Sequence, residues 1–225
     1  MLPPVPTLIF HITPIVNLRR IAESGVLFSK RELIQRNMSP ANISYDHIQA
    51  RRAVRSVPLP PHGTLHDYVP FHFAPRSPML DAINRGNVPD CDHRQQDVAH
   101  LVMYAQSVSQ ADLPFVFTDA HAVLASTLVN FFSDLTDLSR VRWDLLLEEP
   151  RLAGYCKYYL SKPTIAKYAT RREARQAEFL IHRAVPIGQI VRIGVVDAAA
   201  QARVAQQLAE TEWNPAVEVV RGWYF

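Results

Sequence analysis

The carboxylate of Glu178 opens the apolar run "AEFLIH", with Arg171, Arg172 and Arg175 before it and Arg183 after it. A carboxylate at the start of an apolar strand beside so much positive charge is either a solvated surface ion pair or a positioned catalytic group, and the surface pair is the more ordinary case. Arg51, Arg52 and Arg55 pose the same choice, between a solvated helix face and a face that grips phosphate. His11 stands in an apolar stretch just ahead of a helix start. It is either a satisfied core histidine or a group beside backbone amides that favour anions.

Nine histidines invite a metal. His62 and His66 are four apart, but proline and glycine surround them, so no helix brings both to one face. Cys91 and His93 have no second ligand pair in metal spacing, and no metal is expected. The chain has no GxGxxG, Walker or GxSxG motif, and its seven glycines leave few places where phosphate could meet bare amides. The standard nucleotide-binding folds are therefore disfavoured.

The elements that must position these residues are legible in part. "TLIFHI" at 7–12 reads as a strand bounded by prolines. "TPIVNLRRIAESG" reads as a helix with Thr13 as N-cap, Pro14 in its first turn and Gly25 as its stop. Helical spacing through Ile48 and Arg52, starting at Ser44 or Asp46, dissolves in "PLPPHG". "DYVPFHFAP" alternates as a strand, and Pro70 argues that it is an edge. "PMLDAINRG" gives one or two helical turns closed by Gly86, and "VAHLVMYAQSVSQA" a buried strand entering a helix. "PFVFTDAHAVLASTLVNFFSDL" starts as a strand and turns helical after Asp119 or His121. "AEFLIHRAV", "IVRIGVVD" and "EVVRGWYF" are strands, with a helix in "AAAQARVAQQLAETEW". Strands and helices do not alternate strictly, so the class is α+β and not a doubly wound sheet.

At 225 residues and 48% hydrophobic content, a single domain over 1–225 is the default. The formal charge of +3 and isoelectric point near 9.0 suit a polyanionic partner without requiring one. Cys91 and Cys156 lack redox or metal spacing, which favours a reducing compartment. With no signal-like start and no membrane-length apolar run, a cytoplasmic protein with no membrane partner is expected.

"HITPIVNL", "DHIQARR", "LHDYVPFHFAPRSPML", "PFVFTDAHA" and "RQAEFLIH", in this order, resemble the DarT family of bacterial DNA ADP-ribosyltransferase toxins, from His11 to about Arg183. The resemblance implies an ADP-ribosyltransferase fold, a split and bent β-sheet with helices around a cleft for NAD+, the co-substrate. It implies transfer of ADP-ribose to a base of single-stranded DNA, thymine N3 first and guanine in some members, and an antitoxin resembling DarG with a macrodomain. Glu178 and Arg52 take the catalytic positions. His11, Thr13, Asn17, Leu27, Tyr45 and Phe73, with Arg52, fall on the co-substrate side. Tyr68, Arg76, Met79, His121, Arg172 and Arg175 fall on the DNA side, with Phe71 and Phe73 in the floor between the two.

Within that resemblance Glu178 would stabilise positive charge on the ribose, and Arg52, a permanent cation, would stabilise a thymine anion more readily than act as a base. Ala122 stands where glycine is expected in relatives, and the polar region 144–170 is longer than in compact members. Transfer to RNA or protein, or a non-catalytic single-strand-binding module, are the competing readings.

Overall fold

The computed structural model describes residues 1–225. Strands are β1 (Leu8–Pro14), β2 (Val26–Phe28), β3 (Tyr68–His72), β4 (Val98–Tyr104), β5 (Phe115–His121), β6 (Phe131–Phe132), β7 (Arg151–Leu152), β8 (Tyr155–Cys156), β9 (Ala177–His182), β10 (Ala184–Pro186), β11 (Arg192–Val195) and β12 (Ala216–Val219). Helices are α1 (Leu18–Ser24), α2 (Lys30–Gln35), α3 (Asp46–Val54), α4 (Pro78–Asn84), α5 (Ala105–Gln110), α6 (Trp143–Leu146), α7 (Arg171–Ala174) and α8 (Ala198–Leu208).

Eight strands form the main sheet in the order β12-β11-β4-β1-β3-β9-β5-β6. Pairing is antiparallel except between β11 and β12, which α8 connects. The sheet is split. β1 pairs with β4 along its whole length but meets β3 only through Phe10 and His72, whereas β3 pairs with β9 from Tyr68 to His72.

That split corrects the expectation that Pro70 marks an edge. β3 lies inside the sheet, between β1 and β9. Proline survives there because its side of the strand faces the gap toward β1, where no ladder bond is required. Its carbonyl accepts from Nδ1 of His11 across that gap at 2.8 Å.

Two further expectations change. Thr13 and Pro14 belong to β1, and α1 starts only at Leu18 with no side-chain cap, although Gly25 ends it at φ 68° as expected. The stretch after His121 is not helical. Asp119 accepts from the backbone N–H of Asn130 at 2.9 Å and from its side-chain amide at 2.7 Å, and this folds the segment back as a β5–β6 connection.

The core runs under both halves of the sheet. On one half Phe10, His100 and Trp223 pack edge to face, and on the other Phe73 meets Phe117, Trp143 and Phe179. α8 shows how sequence specifies an element here. Asp197 accepts from the Ala200 N–H at 2.8 Å as N-cap, and Ala200, Val204 and Leu208 bury one stripe. No helix is long and apolar enough to cross a membrane.

Candidate active site

α3 carries Arg52 inward. Arg52 is 7% exposed, and its Nη1 donates to Oε2 of Glu178 at 2.8 Å, while Glu178 itself is 1% exposed. The two residues are 126 positions apart, joined because β9 sits beside β3 in the sheet centre. The sequence left a surface ion pair as the more ordinary reading of Glu178; the structure makes it a buried one.

A break in the ladder frames that carboxylate. β5 and β9 pair regularly as far as Phe117 with Phe179, and the register then shifts before His121 meets Ala177. At the break the Glu178 N–H donates to Oγ1 of Thr118 at 3.0 Å, and the Ala122 N–H turns to Oε1 of Glu178 at 3.2 Å. Bulges of this kind re-aim groups next to active sites. Ala122 has no positive φ, so its Cβ costs nothing in backbone strain.

The neighbouring arginines anchor this turn. Nη2 of Arg51 donates to the Val123 carbonyl at 2.9 Å, and Nε of Arg55 to the Ala122 carbonyl at 3.2 Å. The cluster at 51–55 therefore grips backbone and a carboxylate rather than forming a uniform solvated face.

The electrostatics follow from burial. Desolvation works to raise the pKa of Glu178, but the field of Arg52 prevails and holds it below the usual carboxylate range. Nε2 of His121 is 3.9 Å from Oε1 of Glu178, and burial lowers this histidine to about 4, so it is neutral near pH 7. Burial likewise lowers His11 to about 4, and its Nδ1–H is spent on Pro70. Nη2 of Arg52 is buried without a partner.

Arg52 forms part of the lining of a cleft running along β1, α1, β2 and the segment 38–44, with about 990 Å³ of space including its open mouth. None of the side chains lining it is Asp or Glu, while Arg20, Lys30 and Arg52 are present, so the donor set fits an anionic dinucleotide.

Of the residues expected on the co-substrate side, His11, Thr13, Asn17, Leu27 and Arg52 line this cleft. Asn17 holds its wall: its amide bonds both the N–H and the C=O of Ala41, at 2.9 and 3.0 Å, and Oγ1 of Thr13 at 3.2 Å. Tyr45 precedes α3, half-buried beside the His47 ring and outside the cleft lining. Phe73, just past the end of β3, is outside the cleft lining and buried among Phe117, Trp143 and Phe179, and Phe71 is buried too.

The residues expected on the DNA side are dispersed. Tyr68 forms part of the cleft lining, its hydroxyl donating to the His62 carbonyl at 2.6 Å. Met79 is half-buried on α4 and Arg172 exposed on α7. The Arg76 guanidinium lies over the Phe225 ring at 4.4 Å. Arg175 is 1% exposed and donates through Nη2 to the Arg76 carbonyl at 3.0 Å; its Nε and Nη1 have no partner, and burial lowers it to about 10. It remains charged at neutral pH.

Sequence reading missed Thr118, the carbonyl grips of Arg51 and Arg55, and the cleft positions of Arg20, Lys30 and His66. The alternating "PFVFTDAH" pattern placed Thr118 in a strand, but nothing local signals a bulge. No group of three or more His, Cys, Asp or Glu side chains is arranged to hold a metal.

Comparison with known proteins agrees with this geometry. The family described as "ssDNA thymidine ADP-ribosyltransferase, DarT" matches residues 10–225. A DNA ADP-ribosyl transferase of Thermus aquaticus is 42% identical over 99% of this chain and 90% of its own length. The structure of Thermus sp. 2.9 DarT in complex with ADP-ribosylated ssDNA superposes with a TM-score of 0.83 at 37% identity, covering 100% of this chain and 99% of the other. That of Thermus sp. 2.9 DarT in complex with NAD+ gives 0.80 at 35% identity, with 100% of both chains covered. With the buried Arg52–Glu178 pair beside a cleft free of acidic side chains and a family match over nearly its whole length, this chain belongs to the DarT family of single-stranded-DNA thymidine ADP-ribosyltransferases.

Proposed function

We propose that this protein, as one domain over residues 1–225, transfers ADP-ribose from NAD+ to N3 of thymine in single-stranded DNA. We propose further that it does so in the cytoplasm, as a toxin countered by an antitoxin resembling DarG with an ADP-ribose-removing macrodomain. NAD+-dependent ADP-ribosylation of DNA is the activity of its family. The observation that carries the residue roles is the dry Arg52–Glu178 pair at 2.8 Å beside the cleft.

Parting nicotinamide from ribose builds positive charge on the sugar. An ionised carboxylate held out of water is the group that stabilises such charge, and Glu178 is that group here. Arg52 gives one nitrogen to Glu178 and keeps Nη2 unpaired, a donor suited to negative charge on thymine as N3 bonds the ribose C1′, nicotinamide departs from that carbon and the N3 proton passes to water. N3 is hydrogen-bonded in a duplex, so the substrate base has to be unpaired. The exposed Arg172 on α7 supports a DNA contact by its positive charge.

The test is mass spectrometry of single-stranded oligonucleotides that differ only in carrying thymine or guanine, incubated with NAD+, with Glu178→Ala as control. One added ADP-ribose on the thymine strand, absent in the control, is expected. Addition to guanine alone overturns the base assignment. Intact NAD+ throughout leaves a binding module.

A further inference from the structure

β5 carries two residues more than its ladder with β9 needs: in an unbroken register Asp119 would face Ala177, and His121 does so instead. The His182 N–H donates to the Pro114 carbonyl at 2.8 Å, which sets the phase of that ladder. Hydrogen-bonded pairs then recur at Val116 with Leu180 and, were the register kept, at Thr118 with Glu178. There the Glu178 N–H would meet the Thr118 carbonyl. It meets the Thr118 hydroxyl instead, at 3.0 Å.

Thr118 is fully buried, and its hydroxyl is committed in both directions. It donates its one proton to the Ala120 carbonyl at 2.7 Å, so its lone pairs are left to the Glu178 N–H. The chain runs on from Ala120 to Ala122, whose N–H donates to Oε1 of the same Glu178 at 3.2 Å. One side chain therefore closes a ring of hydrogen bonds that leaves the Glu178 backbone, follows the 118–122 turn and returns to the Glu178 carboxylate. Arg52 holds the other oxygen, Oε2. Packing at this position asks only for a β-branched side chain, which valine would also supply; the two hydrogen bonds ask for the hydroxyl.

We infer that Thr118 is a positioning residue for the transfer reaction, its hydroxyl fixing the aim of the Glu178 carboxylate through the Glu178 N–H and the Ala122 turn. Being fully buried, it acts through Glu178 and not on either substrate. The inference rests on the role given to Glu178 above.

The experiment is steady-state kinetics of the full-length wild type, Thr118→Val, Thr118→Ser and Glu178→Gln, with NAD+ and a thymine-bearing single-stranded oligonucleotide varied in turn. Thr118→Val is expected to lower kcat about ten- to 100-fold while both KM values stay within about twofold, and Thr118→Ser to recover most of the loss. Wild-type kcat in Thr118→Val overturns the inference. So does an equal fall in the serine variant, or a rise in both KM values as large as the fall in kcat, which would mark a loosened site. Thr118→Ala, with the same expectation, replaces the valine variant if that one does not fold; if neither folds, Thr118 is a folding residue and the positioning role is overturned. Near-full turnover of Glu178→Gln overturns the reading of Glu178 itself, whatever the threonine variants do.

Discussion

The Arg52–Glu178 pair makes a quantitative prediction. Its side chains are 8% and 2% exposed at an N–O distance of 2.8 Å, so removing either partner leaves a buried charge without compensation. Such deletions cost about 3–5 kcal/mol, and Glu178→Ala also leaves the Ala122 N–H without its acceptor, adding about 1 kcal/mol. Arg52→Ala is expected to cost nearly as much. The double variant removes both charges, so its loss should fall short of the sum of the singles by about 3 kcal/mol. Urea denaturation at constant m-value reads this directly, since midpoint shifts then report stability alone. Glu178→Gln, which keeps an oxygen for Ala122, serves if the alanine variant does not fold. Turnover in the glutamine variant should fall by at least about 100-fold, because a neutral amide does not stabilise cationic ribose. Single losses under about 0.5 kcal/mol that simply add would refute the buried-pair argument, and near-full turnover of Glu178→Gln would refute the role of its charge.

Arg52→Lys keeps the charge but loses the fork that serves Glu178 with one nitrogen and a substrate with another; initial-rate assays should show at least about tenfold lower turnover, and near-wild-type rates would dismiss the planar requirement. His11, His100 and His121 are each lowered to about 4 by burial and are kept neutral in the fold. Groups with a depressed folded pKa bind fewer protons folded than unfolded, so melting temperature should be flat above about pH 6.5 and fall steadily toward pH 4. A flat profile down to pH 4.5 contradicts their burial. Gly194→Ala would set a Cβ 2.2 Å from the Trp223 ring, so a loss of about 2–3 kcal/mol is expected in denaturant titration, with wild-type stability as the contrary result. Glu148 accepts from Lys167, Tyr168 and Arg171 at 2.5, 2.9 and 2.5 Å, holding the 148–171 excursion against α7. Arg172 on α7 is a residue expected on the DNA side, so Glu148→Ala should raise the KM for oligonucleotide several-fold more than that for NAD+, and equal changes in both would count against a DNA-side role for α7.

Much of the framework was written in local pattern. The apolar alternation of β1 and β4, Ser77 capping α4, Gly25 and Gly86 ending helices, and Asp197 starting α8 are all decided by residues within a few positions of one another. Glu178 and Arg52 stood out in the sequence as a carboxylate and a cation in chemically suggestive settings, and the motif resemblance paired their roles. Only the tertiary structure decided that they touch, because contact across 126 residues depends on strand order in the sheet, which no local periodicity encodes. The same holds for Pro70, an edge-type residue placed at an internal split, and for Phe73, which packs against Trp143, 70 positions away. It holds again for the stretch after Asp119, where two hydrogen bonds from Asn130 outweigh helical spacing. Local propensity selects among elements by tenths of a kcal/mol per residue, whereas pairing, burial and charge compensation act in whole kcal/mol between residues remote in the chain, and these settle where the chemistry sits.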